Sequence, residues 1–204
     1  MQGVVIKSTG SWYIVKTDDG ELLNCRIRGK FRMHDIKSTN PIVVGDKVLL
    51  SNEDDSIIID ELFDRKNIIV RKSVNLSKQT HILASNIDQA ILVVTMQSPQ
   101  TSTGFIDRFL VSAQAYGVDV IILFNKIDLY DQVTLALLEE RRSVYQKIGY
   151  CCLSKSILND DLSDIKELMK DKVNVISGHS GVGKSTLLNR IQPNLNITTQ
   201  EISE

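Results

Sequence analysis

The amino-acid sequence predicts an all-β barrel over residues 1–72 followed by a doubly wound α/β domain over residues 73–204. Three observations carry that reading. Short apolar runs separated by turn residues fill the N-terminal part, with no helix-period segment of useful length between them. Strands and amphipathic helices alternate through the remainder. A glycine-rich turn then stands where a buried strand passes into a helix.

In the N-terminal part the strand-like runs are Val4 to Ile6, Trp12 to Val15, Leu22 to Ile27, Lys47 to Leu50, Ile57 to Leu62 and Ile68 to Val70. Turn residues separate them at Ser8-Thr9-Gly10-Ser11, Asp18-Asp19-Gly20 and Val44-Gly45-Asp46. Five or six short strands in so few residues suit a small closed barrel, of which the OB-fold is the commonest that also handles nucleic acid. The polar stretch Arg71 to Asn86, without clear period, reads as a linker.

Beyond it, Gln89 to Thr95 and Asp119 to Phe124 are near-continuous apolar runs, as parallel strands covered on both faces require. Between them Ile106, Phe109, Leu110 and Ala113 recur at helical spacing after Thr103-Gly104, and Gly117 closes the helix. A second helix is expected from Val133 to Ile148, a short strand from Tyr150 to Leu153, a helix around Leu162 to Met169, and a strand from Val173 to Ile176.

Composition narrows the classes further. With 42% hydrophobic residues the chain can bury a real core. The formal net charge of -1 excludes a global positive field, so any nucleic-acid contact has to come from local patches. Cys25, Cys151 and Cys152 show no Cys-x-x-Cys spacing and read as reduced thiols. No apolar run reaches the roughly 18 to 20 residues that cross a bilayer, and the N-terminus lacks the layout of a secretory signal. A cytoplasmic monomer is expected.

The strongest chemical signal is Gly178-His179-Ser180-Gly181-Val182-Gly183-Lys184-Ser185, a complete G-x-x-x-x-G-K-[ST] between the strand at 173–176 and a helical run from Thr186 to Ile191. The glycines let backbone N–H groups turn inward around phosphate, and the helix N-terminus completes the nest. Lys184 is placed for the β- and γ-phosphates, the Ser185 hydroxyl for Mg²⁺, and Thr186 for the end of the nest. His179, Ser180 and Val182 occupy variable positions, and His179 is assigned no catalytic role.

A second signal, Asn125-Lys126-Ile127-Asp128, follows the strand Asp119 to Phe124 at the end where α/β sheets bind ligands. Guanine offers N1–H and N2–H₂ as adjacent donors, and the Asp128 carboxylate accepts from both. Adenine presents the reverse pattern. Asn125 is suited to tie the loop to the base or to the phosphate loop, and the Lys126 stem to cover the ring. A weaker element, Ser154-Lys155, stands where a turn backs the guanine with N–H groups.

The order of these elements is unusual: the base reader precedes the phosphate loop, the reverse of an ordinary GTPase, so the site is assembled by a circularly permuted P-loop GTPase domain. The sequence here resembles the ribosome small-subunit-dependent GTPase A family (RsgA, also called YjeQ), which has an OB-fold, a permuted GTPase domain and a zinc-binding tail. Cys25 to Lys30, Val44 to Val48, Asn86 to Gln89, Phe105 to Leu110, Asn125 to Leu129 and Gly178 to Ser185 look like that family's landmarks in its order. The resemblance implies GTP hydrolysis coupled to late maturation of the small (30S) ribosomal subunit, GTP/GDP and Mg²⁺ as ligands, and a barrel touching ribosomal RNA.

Weighed on the residues alone, the RNA surface has two readings of equal standing. Arg26, Arg28, Lys30 and Arg32 alternate along one strand and beyond it, with Trp12 and Phe31 as stacking surfaces; alternatively this is a solvated face with Trp12 in the barrel core. Two rivals to the GTPase reading stand: an RNA-binding protein with regulatory guanine nucleotide, and an ATP-dependent P-loop kinase. The family continues beyond the equivalent of Glu204 with a threonine-bearing switch loop, an Asp-x-x-Gly element and a Cys/His domain holding Zn²⁺. The sequence is therefore expected to be part of a longer protein, with an incomplete GTPase domain, no zinc ligands, and neither a water-positioning group nor a switch-loop Mg²⁺ ligand.

Overall fold

A computed structural model describes residues 1–27, 41–53, 56–72, 80–195 and 197. The chain divides into two compact units, Met1–Ile87 and Asp88–Glu204.

In the first unit, β1 (Gln2–Thr9), β2 (Trp12–Thr17), β3 (Leu22–Ile27), β4 (Lys47–Glu53) and β5 (Ser56–Leu62) close into a barrel of order β1-β2-β3-β5-β4. Closure needs curvature, and two register shifts provide it, one in β1 between Val5 and Lys7 and one in β5 at Asp60, opposite Leu49 and Leu50. With them β1 pairs with β2 along one rim and with β4 along the other, while β3 and β5 run parallel. The resulting five-stranded architecture is the expected OB-type barrel. Alternating residues fill it: Val5, Tyr13, Val15, Cys25, Val48 and Ile59 are buried. Trp12 is 47% exposed, which excludes the core reading, and the Arg26 guanidinium lies 3.9 Å from its ring centroid. Arg28, Lys30, Phe31 and Arg32 lie outside the described residues.

The stretch read as a linker carries strands at both ends: β6 (Ile68–Lys72) pairs antiparallel with β7 (Thr80–Ser85). The apolar run of β7, Ile82 to Ala84, is as long as Ile68 to Val70, but it lies inside the polar stretch that hid it. The base of this ribbon is tied to the turn before β4 by a buried carboxylate. Asp46 is fully buried and accepts from Val43 N at 2.8 Å, from Arg65 Nε and Nη2 at 2.7 Å each, and from Ser85 Oγ at 2.5 Å. Arg65 Nη2 also donates to Pro41 O at 2.9 Å. Removing one partner of such a pair strands the other charge, so Arg65→Ala is expected to lower the stability of this unit by about 3–5 kcal/mol in urea unfolding. A loss of less than about 1 kcal/mol would show that the pair behaves as a surface contact.

The second unit is a four-stranded parallel sheet of order β10-β9-β8-β11, built from β8 (Gln89–Val94), β9 (Asp119–Asn125), β10 (Cys151–Lys155) and β11 (Asn174–Ser177). Every residue of β8 and all but the first of β9 are buried, so the near-continuous apolar runs become the central strands. Helices α1 (Thr103–Ala115), α2 (Gln132–Lys147), α3 (Ser163–Met169) and α4 (Lys184–Ile191) connect or follow them. Ser102 caps α1 by accepting from Phe105 N, and Asp131 caps α2 by accepting from Thr134 N. Cys25 and Cys152 are buried and Cys151 is exposed. Burial pushes the Cys25 and Cys152 thiols up to about 11. No described helix is long and apolar enough to cross a membrane.

Candidate functional site

From β8 the chain steps outward to β9 and β10 on one side, and the last strand, β11, lies on the other. Strand order therefore reverses beside β8, and the loops leaving the carboxyl ends of β8, β9 and β11 gather there, where open α/β sheets bind ligands. The Asn-Lys-x-Asp segment leaves β9 and the glycine-rich loop leaves β11, so topology alone brings two distant segments to one edge of the sheet.

The glycine-rich loop is confined by its neighbours. Gly178 has φ +144°, and a Cβ there would run into the Val93 carbonyl. Gly183 has φ +104° and caps α4 without any side-chain cap, so the first-turn amides, with Ser185 and Thr186 beside them, face the loop uncapped by a side chain. Val182 is fully buried and packs with Val93, Leu123, Ile157 and Leu187. Gly181, also at positive φ, and the exposed Ser180 complete the outer bend. Lys184 Nζ donates to His179 O at 2.6 Å, folding the lysine back over its own loop. Burial holds this ammonium below the usual lysine value, a cost that an anionic ligand relieves. The His179 ring packs on Phe105 at the start of α1, 4.0 Å between centroids, which anchors the loop mechanically.

Asn125 is the joint between the two segments. It is 4% exposed; its Nδ2 donates to Val182 O at 2.7 Å, and its Oδ1 accepts from Ile157 N at 2.8 Å. The contact is so close that a Cβ on Gly183 would collide with the Asn125 amide nitrogen. Asn125's own backbone is fixed by Tyr130, whose hydroxyl donates to Asn125 O at 2.6 Å and accepts from Met96 N at 2.9 Å. Lys126 takes the left-handed conformation at φ 66°, and its Nζ donates to Ser98 O at 2.5 Å. Desolvation lowers the Lys126 pKa, with Asp128 opposing. Ile127 to Leu129 form a single 3-10 turn that presents Asp128, whose Oδ2 accepts from Asn159 Nδ2 at 3.1 Å.

Ser154 and Lys155 end β10. Ser154 Oγ is buried without a hydrogen-bond partner, whereas Lys155 Nζ pairs with Asp164 at 2.9 Å and donates to Asp161 O at 3.2 Å, committing it to the α3 side. The N–H that meets the base-loop asparagine belongs to Ile157, two residues further on. Arg190, from α4, reaches the same turn: its Nη1 donates to Ile157 O, Leu158 O and Asp160 O at 2.7, 2.9 and 3.0 Å. Sequence reasoning missed Tyr130, Ile157, Asn159 and Arg190. Three of the four act through backbone atoms, and no residue spacing signals such contacts. Among the described residues no group of three or more His, Cys, Asp and Glu is placed to hold a metal ion.

A parallel sheet with a phosphate-type loop after its last strand, and an Asn-Lys-x-Asp after an earlier one, defines a circularly permuted GTPase domain. The chain belongs to the RsgA GTPase family: the model of the RsgA GTPase matches residues 62–204, and that of the RsgA N-terminal domain matches residues 2–57. The chain is 55% identical over its full length to the small ribosomal subunit biogenesis GTPase RsgA of Bacteroides fragilis, and 53% identical to that of Flavobacterium psychrophilum. It spans 66% and 64% of those two proteins. Among solved structures, YjeQ from Thermotoga maritima superposes with a TM-score of 0.75 at 35% identity, over 98% of this chain and 67% of that one. YloQ, described as a circularly permuted GTPase, gives 0.68 at 34% identity, over 95% and 64%.

Proposed function

We propose that this chain binds GTP and GDP in the crevice between the two loops and belongs to a GTPase that assists maturation of the small ribosomal subunit. The observation that carries the reading is the Asn125 to Val182 hydrogen bond, because it fixes a base-reading loop against a phosphate-cradling one. In this arrangement Asp128 accepts from N1–H and N2–H₂ of guanine, the Lys126 stem covers the ring, and the turn 154–157 backs the base edge. Gly178 to Gly183 wrap the phosphates with backbone N–H groups, and Lys184 swings from the His179 carbonyl onto the β- and γ-oxygens. The Ser185 hydroxyl, in the uncapped first turn of α4, would hold Mg²⁺, which would supply positive charge against the phosphates.

The relatives' printed name supplies the partner proposed here, the small ribosomal subunit. The barrel, with Arg26 stacked on an exposed Trp12, is the surface proposed to meet its RNA. Zinc is assigned to no residue of this chain.

Titration with GTP, GDP and ATP tests the site directly: guanine nucleotides should bind, and equal binding of ATP would favour the kinase alternative. Phosphate release measured with and without small ribosomal subunits separates a GTPase from an RNA-binding protein with regulatory nucleotide. Lys184→Ala removes a charge-assisted contact of about 1.5–3 kcal/mol, so GTP affinity should fall about 10- to 100-fold. Unchanged GTP affinity in that variant would remove Lys184 from the phosphate site.

A further inference from the structure

We propose that Arg190 and Asn159 form a base-positioning relay: Arg190, on the helix after the phosphate loop, holds the carbonyls of loop 157–160, and Asn159 in that loop orients the Asp128 carboxylate toward the purine. The inference rests on the guanine reading above and deepens it by naming residues outside both motifs.

Three carbonyls, those of Ile157, Leu158 and Asp160, converge within 3.0 Å of a single guanidinium nitrogen. Carbonyl oxygens that share one donor nitrogen bring their negative ends together, so the guanidinium charge favours the closed turn. Internal bonds also shape the turn: Asp160 Oδ2 accepts from Ser156 N at 2.8 Å, and Ser156 Oγ accepts from Asn159 N at 3.3 Å. Ile157 is gripped from both sides, giving its N–H to Asn125 and its C=O to Arg190. Its peptides therefore cannot rotate without breaking one of the two contacts.

Asn159 stands inside this closed turn and donates one N–H to Asp128 Oδ2. A carboxylate on a short side chain rotates readily about its terminal torsion, and only one orientation offers both oxygens to two adjacent donors. The Asn159 amide occupies one lone pair of one oxygen and leaves the remaining acceptor sites for N1–H and N2–H₂. Asn189 beside Arg190 makes a second tether, donating to Ile197 O at 2.8 Å and accepting from Ile197 N at 2.9 Å. Adjacent side chains of α4 thus hold the base loop and the segment that follows the helix.

The test uses the full chain with Arg190→Gln, Arg190→Lys and Asn159→Ala, titrated with GDP and with inorganic tripolyphosphate plus Mg²⁺. Arg190→Gln should weaken GDP about tenfold, and Asn159→Ala a few-fold, with tripolyphosphate binding unchanged in both. Arg190→Lys, a point charge in place of a fork, should recover only part of the GDP affinity. Parallel losses for GDP and tripolyphosphate would make Arg190 a mere support for α4 and overturn the relay, as would unchanged GDP binding in Arg190→Gln and Asn159→Ala. If Arg190→Gln does not fold, the exposed Asn159→Ala decides alone. A wild-type chain that binds ADP as tightly as GDP refutes the guanine reading itself, and the relay with it.

Discussion

Replacing Asp128 by Asn is expected to convert the site from guanine to xanthine nucleotides. The carboxylate offers acceptors to both N1–H and N2–H₂, and an amide offers one acceptor and one donor group. Xanthine carries a carbonyl where guanine carries the 2-amino group, so the amide that repels guanine suits xanthine. Each charge-assisted hydrogen bond is worth about 1.5–3 kcal/mol. The amide keeps one neutral acceptor and sets a donor against the other guanine donor, so neither charge-assisted bond survives and GDP weakens by about 10²- to 10⁴-fold. Titration of the variant with GDP and xanthosine diphosphate reads the change directly. Asp128 lies in an exposed turn, where its side chain accepts from Asn159, so the variant should fold. An unaltered base preference would take the reading role away from Asp128.

Asn125→Ala is expected to act on both ends of the nucleotide at once. The substitution leaves the Val182 carbonyl and the Ile157 N–H buried without partners, each at a cost of about 1–3 kcal/mol. Nucleotide-bound protein suffers most, because the base loop and the phosphate loop then have to be ordered by the ligand. GDP affinity should fall about 10- to 10³-fold, and the free protein should melt at a lower temperature. Partial rescue of the melting temperature by saturating GDP is part of the expectation, since a ligand that binds only the folded state stabilises it. Wild-type GDP affinity in this variant would show that the two loops do not depend on one another.

Much of this site was legible in the sequence because its chemistry is contiguous. Eight consecutive residues make the proposed phosphate loop and four the proposed base reader, and each sits at a strand end that hydrophobic runs alone locate. Strand boundaries near those motifs came within a residue or two, since β8 and β9 are buried on both faces and so are apolar without interruption. Three parts were not legible. β7 is a half-polar strand of a two-stranded ribbon, and its short apolar run sits inside a polar stretch. The tie between the turn after β10 and Asn125 runs through the Ile157 N–H, a backbone group that no side-chain pattern announces. Arg190 meets only backbone carbonyls, and any three residues can supply those.

The absent side chain of Gly183 has a consequence for ligand choice. With the Asn125 amide lying where a methyl group would otherwise be, the proposed phosphate cradle and purine slot abut with no spacer between them. Their separation is set by that contact and by the Asn125–Val182 hydrogen bond, so the pair works as a fixed caliper. Ligands whose sugar linkage is longer or shorter than a ribonucleotide's have to forfeit one jaw or the other.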